Sequence, residues 1–264
     1  MLTPTVPRGA VAAALSIWQA LVLREATTRL ALKRGGWFWV LAEPAEQIVY
    51  VMLLHGLLRH LAIPGVNVAL FIGVGVLPFF MMRSVALRGI DAITANMALL
   101  TYRQIKPFDL VFARAVLEVL LYLLVGTLLV AICAGLGIDV AISSPLTVLT
   151  GCLLLTGFGF GLALTVIAIA HLLPEIAQIV RMAFGPLYLL SATMYPATLV
   201  PPAARALFFL NPLVHGVEMV RSGYFGAYRT PDRVSPAYLA LWTLALLATG
   251  LLLHVRFGRR LVEK

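Results

Sequence analysis

The chain has 264 residues, of which 61% are hydrophobic and 12% charged, and it carries a formal net charge of +9. So much apolar surface excludes a soluble globular domain, which needs a polar shell around its core. The basic residues are distributed along the chain as membrane topology demands and form no single patch, which argues against nucleic acid as a partner.

Residues 1–36 contain no apolar core followed by a small-residue cleavage site, so the first membrane span is expected to direct its own insertion. Within them, Leu15, Trp18, Val22 and Ala26 keep helical spacing while Arg24, Glu25, Arg29, Lys33 and Arg34 supply a polar side. This predicts an amphipathic helix lying in the cytoplasmic interface. A helical crossing needs roughly 20 apolar residues. Runs of that order at 37–58, 67–89, 111–136, 146–171, 174–196 and 236–256 predict an all-α, polytopic membrane protein with six spans in a single domain over 37–264.

With both termini inside, Arg24, Arg29, Arg83, Arg88, Arg103, Lys106, Arg114, Arg181 and Arg256 fall at the cytoplasmic face, together with Arg8, Lys33, Arg34, Arg259, Arg260 and Lys264 near the ends. Only Arg59, Arg205, Arg221, Arg229 and Arg233 fall outside, which is the positive-inside asymmetry.

The first span opens on Trp37, Phe38 and Trp39, aromatics expected at headgroup level. It then places Glu43, Glu46, Gln47 and Tyr50 on one helical face, which cannot meet lipid because a central carboxylate costs about 2.5–3.5 kcal/mol. Two readings stay open for that face: packing near the inner interface, or lining a path. Pro44 is expected to bend the helix. The second span ends in Arg83 and Arg88, which either snorkel to headgroups or meet a cargo.

The next stretch, DAITANMALLTYRQIKPFDLVFARAVLE, is too polar to span and too apolar for a free loop. Ile93, Met97 and Leu100 mark a helix up to Tyr102, and Pro107 disfavours helical geometry at Lys106, ending it before the third span. A short cytoplasmic helix parallel to the membrane follows, its charged side chains displayed downwards for a cytoplasmic protein. Cys133 and Cys152 lie in apolar runs and read as small hydrophobes. Gly157 and Gly161 in the fourth span form a small-xxx-small pair suited to close helix packing.

Between Tyr195 and Pro236, VPPAARALFFL and PLVHGVEMV are each too short to cross and too apolar to float, so residues 197–230 are predicted to hold two short re-entrant helices on the outer side. Pro202 starts one; Asn211 and Pro212 end it and start the next. His215, Glu218 and Arg221 recur every three residues as one polar edge, a candidate periplasmic contact or gate. They do not make a metal site, because a third ligand is missing. No GxxxxGK[ST], HExxH or GxSxG motif occurs, so no catalytic role is assigned to this chain.

Three passages, LAEP at Leu41 to Pro44, NMALLTYRQIKPFDLVFAR from Asn96 to Arg114, and FFLNPLVHGVEMVRSGYFGAY from Phe208 to Tyr228, resemble the inner-membrane permease subunit of bacterial capsular polysaccharide ABC exporters. The resemblance implies that the cytoplasmic helix at about 91–109 is a coupling helix seated on the ATP-hydrolysing subunit, with Tyr102, Arg103, Lys106, Pro107 and Asp109 as coupling residues. It further implies a homodimer bearing two ATP-binding cassette subunits, which bind ATP and Mg while this chain holds no cofactor. A periplasmic adaptor of the polysaccharide co-polymerase type and an outer-membrane export channel complete the assembly. The implied cargo is a lipid-linked acidic polysaccharide. Glu43, Glu46, Tyr50, Arg83, Arg88, Tyr188 and Tyr195 are candidates to line its path. A permease for O-antigen, teichoic-type polymer, drug or small lipid shares this architecture. A membrane enzyme of envelope polysaccharide synthesis is the alternative of a different class.

Overall fold

A computed structural model describes residues 10–31, 36–58 and 66–258. Arg8, Lys33, Arg34, Arg59, Arg259, Arg260 and Lys264, counted in the charge asymmetry, lie outside the described residues, as does the side chain of Trp37.

The described chain is helical throughout: α1 (Ala10–Ala31), α2 (Gly36–Leu58), α3 (Val68–Ile90), α4 (Pro107–Gly135), α5 (Pro145–Ala170), α6 (Glu175–Leu189), α7 (Pro202–Phe208), α8 (Pro212–Tyr224) and α9 (Pro236–Phe257). Short 3₁₀ runs occur at Thr94–Thr101 and Ala197–Leu199. Proline at the first turn opens five of these helices, α4, α5, α7, α8 and α9, where its missing N–H is no loss. Asn67, Asn211 and Ser235 cap α3, α8 and α9 with side-chain oxygens that accept backbone N–H bonds.

The hub is α5, which packs on α3, α8 and α9. A Cβ on Gly161 would lie 2.8 Å from the Leu247 nitrogen and one on Gly157 would lie 3.0 Å from Thr243 Cγ2, so the small pair lets α9 approach backbone to backbone. On its outer side α4 shows Leu120, Leu123, Leu124, Leu128 and Ile132, an exposed stripe at helical spacing that suits lipid. Cys133 and Cys152 are unpaired side chains within α4 and α5.

Four described helices, α3, α4, α5 and α9, are long and apolar enough to cross a bilayer. The expected fifth span, 174–196, contains a helix of only 15 residues, α6, about 22 Å long. α6 runs through Pro186 to Leu189, and turns complete the stretch, because the left-handed Ala192 (φ 56°) does not propagate a helix. Through Pro44, α2 continues for 23 residues from Gly36 to Leu58.

The cytoplasmic segment at about 91–109, expected to be helical up to Tyr102 and broken at Pro107, holds a shorter and tighter run. Residues Thr94–Thr101 form a 3₁₀ run kinked at Asn96 (φ −129°, ψ 26°), Tyr102 and Lys106 are extended, and Pro107 already belongs to α4. Asn96 explains the kink: its side chain turns back to the Ala92 carbonyl at 3.0 Å and competes with regular helix bonding. Ile93 and Leu100 are buried as an apolar face requires, whereas Met97 points out.

Candidate functional site

A cleft of about 630 Å³ opens at the end of the bundle where α3 finishes, within the size range of about 300–1,000 Å³ usual for ligand pockets. Glu43, Glu46 and Gln47 of α2 enter it at i, i+3 and i+4; Arg83, Ser84 and Arg88 of α3 face them. Arg29 of α1, Glu118 and Tyr122 of α4, Asp91 and Arg181 of α6 complete the polar lining, and Phe80 and Trp39 add aromatic faces.

Glu118 forms the floor. Its carboxylate is 4% exposed, accepts hydrogen bonds from Arg29 Nη1 and Ser84 Oγ, both at 2.5 Å, and lies 3.9 Å from Arg88 Nε. A carboxylate held so deeply within a membrane helix needs such partners, since an unpaired one is expensive. At the rim, Arg88 Nη2 donates to Glu43 Oε1 at 2.7 Å and Arg181 pairs with Asp91. Arg83 makes no ion pair among the described residues; its guanidinium lies 5.8 Å from the Phe80 ring centre.

Four of the seven residues proposed for a cargo path, Glu43, Glu46, Arg83 and Arg88, therefore meet in one cleft. Tyr188 stacks on Phe80, a lining residue, with ring centres 5.2 Å apart. Tyr50 is exposed on α2 and is not among the residues that line the cleft, and Tyr195 lies beyond the far end of α6, its hydroxyl donating to the Leu189 carbonyl at 2.8 Å.

Sequence reasoning missed Glu118, Asp91, Arg181 and the inward role of Arg29. Glu118 carried a usable signal, being a carboxylate inside a long apolar run. Arg29 and Glu25 were expected on the solvated side of α1, yet Glu25 bridges Arg29 at 3.3 Å and Arg114 at 3.1 Å. The reason is that α1 packs against α4 and turns these charges towards the ends of α3 and α4.

On the same end of the bundle, Tyr102, Arg103 and Lys106 are exposed, Tyr102 by 64%. Asp109 is not displayed: it is buried, its Oδ2 accepts the Lys106 N–H and its Oδ1 accepts Trp18 Nε1, both at 2.8 Å. Pro107 starts the same helix. Arg24 Nη1 also donates to Asn96 Oδ1 at 2.9 Å, so α1 grips the segment at two points.

The edge formed by His215, Glu218 and Arg221 is internal, contrary to expectation. All three side chains are buried, Arg221 and Glu218 completely. Arg221 Nη1 donates to the carbonyls of Ala192 at 2.5 Å and Tyr195 at 2.9 Å and to Glu218 Oε1 at 3.2 Å; Nη2 donates to the Thr193 carbonyl at 2.5 Å. Its guanidinium carbon lies 4.2 Å from the Phe71 ring centre. Glu218 Oε2 accepts from the Tyr228 hydroxyl at 2.7 Å. His215 Nδ1 accepts the Ser235 N–H at 3.0 Å while Nε2 meets the Phe209 carbonyl at 2.9 Å, which sets the neutral Nε2–H tautomer. The triad thus pins the loops before α7 and α9 onto α8.

The family model described as ABC-2 type transporter matches residues 18–225. The polysialic acid transport protein KpsM of Escherichia coli is 34% identical over 236 residues, covering 89% of this chain and 91% of the relative. The capsule polysaccharide export inner-membrane protein BexB of Haemophilus influenzae is 29% identical over 244 residues, and CtrC of Neisseria meningitidis serogroup B, of the same description, is 27% identical over 240; each alignment covers 91% of this chain and 90% of the relative.

Proposed function

Since the chain belongs to the ABC-2 type transporter family, we propose that it is the transmembrane subunit of an ATP-driven exporter that moves a lipid-linked acidic capsular polysaccharide across the bacterial inner membrane. The observation that carries this reading is the cleft at the end of α3, where Arg83 and Arg88 stand beside aromatic faces. Fixed cations in a narrow, partly dehydrated opening attract a polyanion more strongly than the same charges in water. Aromatic faces such as Phe80 and Trp39 suit the apolar sides of sugar rings.

Six spans with both termini cytoplasmic fit this role. The N-terminal part of α6 meets Asp91 through Arg181, and the loop after α6 meets Gly75 and Phe71 through Arg221. Asp91 and Gly75 are 16 residues apart along α3, about 24 Å of helix. So α6 and its following turns run antiparallel to α3 across most of a bilayer core, which supports reading them as the fifth span. On this reading α7 and α8 lie at the outer end, as re-entrant helices would. Cysteine at Arg229, which is exposed, should react with a membrane-impermeant maleimide in sealed cells, and cysteine at Arg103 should not; reaction at position 103 from outside would overturn the topology.

The exposed Tyr102, Arg103 and Lys106 then face the cytoplasm and dock an ATP-hydrolysing subunit that supplies ATP and Mg chemistry. A homodimer with two such subunits, a periplasmic adaptor and an outer-membrane channel complete the path outward. One six-span chain without an internal repeat supports the two-fold dimer.

The test is export. Deleting the gene should abolish surface polysaccharide and trap the polymer inside the cell. Arg83→Gln with Arg88→Gln, expressed in that strain at normal abundance, should restore less than about a tenth of wild-type export, whereas Lys at both positions should restore more. Wild-type export by the double Gln variant would remove the cleft from the transport path.

A further inference from the structure

The cleft is charge-balanced: Arg29, Arg83, Arg88 and Arg181 face Glu43, Glu46, Asp91 and Glu118. A polyanion that enters meets these acids as well as the arginines, and the positions of the acids assign their purpose. They fall into two layers. Glu118 is 4% exposed and holds Arg29, itself only 14% exposed, in a permanent floor. The rim pairs are wet, with side-chain exposures of 42% and 66% for Arg88 and Glu43 and 36% and 50% for Arg181 and Asp91. Solvated pairs of this kind break at little cost, whereas buried ones do not.

From this layering, and resting on the acidic-cargo reading above, we infer that Glu43 and Asp91 are built-in counter-anions. Each occupies the arginine, Arg88 or Arg181, that a carboxylate or phosphate of the cargo takes over during loading. Loading is then an exchange of one anion for another. The entering group displaces Glu43 or Asp91 into water, and Arg88 remains oriented by Glu118 at 3.9 Å. Arg83, without an ion pair among the described residues, offers the first contact because no displacement is needed there.

Exchange does two things that four uncompensated arginines do not. It keeps the affinity of each site low, so that a polymer binding several sites still moves on; conduction needs sites strong enough to enter and weak enough to leave. It also ties loading to helix movement. The Glu43 pair joins α2 to α3 and the Asp91 pair joins the end of α3 to α6, so an anion that takes both arginines removes one polar tie of α2 and one of α6 to α3 while their apolar packing stays. A ligand that binds better when those pairs are open shifts the population of the open arrangement.

The measurement is binding of fluorescein-labelled oligogalacturonate to the full-length chain in phosphatidylcholine nanodiscs, with the wild type, Glu43→Gln, Asp91→Asn, the double variant, Glu46→Gln and Arg88→Gln compared. Both substituted acids are solvent-exposed, so folding should be unaffected; a thermal melt checks this. Each single neutralisation should tighten binding roughly two- to fivefold, the loss of an exposed competing pair. The double variant should reach roughly tenfold. Glu46→Gln removes the same charge without freeing an arginine, because Glu46 has no ion pair among the described residues, and it should change affinity by less than about twofold. Wild-type affinity that falls in Arg88→Gln but does not rise in Glu43→Gln or Asp91→Asn would overturn the exchange and leave the cargo reading standing. Equal tightening by all three neutralisations would also overturn it, in favour of the general field. No binding by any form would instead sink the acidic-cargo reading on which the exchange depends.

Discussion

Replacing Arg221 by Met should leave little folded permease in the membrane. The side chain is fully buried and donates to three backbone carbonyls and to Glu218, so its loss strands that carboxylate and the carbonyls of Ala192, Thr193 and Tyr195 away from water. Breaking a buried ion pair by removing one partner costs about 3–5 kcal/mol, a large share of the roughly 5–15 kcal/mol that separates a folded domain from its unfolded state. The loop that holds Ala192 at φ 56° would lose the bonds that pay for that conformation. Gly75→Ala should act on the same joint from α3, since a Cβ there would lie 2.2 Å from Arg221 Nη2. Membrane abundance by immunoblot and melting in detergent measure both. Wild-type abundance and melting of Arg221→Met would mean that the cluster does not hold the loops before α7 and α9, whereas a Gly75→Ala protein that melts normally would mean only that the guanidinium can shift.

Reversing Arg103 and Lys106 together to Glu should leave abundance unchanged and reduce export at least tenfold. Both residues are exposed and neither appears in an ion pair among the described residues, so the fold has little stake in them. At a protein interface the same reversal sets like charges opposite each other, which costs several kcal/mol. Co-purification of the ATP-hydrolysing partner should fall in parallel, while that partner alone still binds nucleotide. Wild-type export with normal partner recovery would detach this segment from coupling. Asp109, expected on the same surface, belongs to a different experiment: buried between Trp18 and the start of α4, it answers to stability and not to docking.

The two predictions bear on opposite ends of α3. At one end, Arg88 and Asp91 join α3 to the cleft and to the exposed segment that follows; at the other, Gly75 and Phe71 receive Arg221. Both joints are carried by this one helix, which packs against the hub α5.

The sequence by itself determined the membrane class, the order of the long helices and their breaks. These depend on quantities that lie along one dimension: the length of an apolar run, the position of a proline, the capping residue that precedes it. Pro202 and Pro212 were readable as helix starts for that reason, Pro107 as a break, and Gly157 with Gly161 as a close-packing pair. The same signals overestimated the fifth span, because apolar composition continues through residues 190–196 after backbone geometry has left the helix. Only the tertiary structure decided which way the polar edges face. Along α8 a period of three places His215, Glu218 and Arg221 on one side, but water and a buried cage of carbonyls satisfy such an edge equally well, and the cage is assembled from residues 192–195 and 228. Glu118 shows the same dependence. Its carboxylate is tolerable inside a membrane helix only because Arg29, 89 positions earlier, and Ser84, 34 positions earlier, are folded against it, and the energy of burying a charge is set by partners that packing brings together.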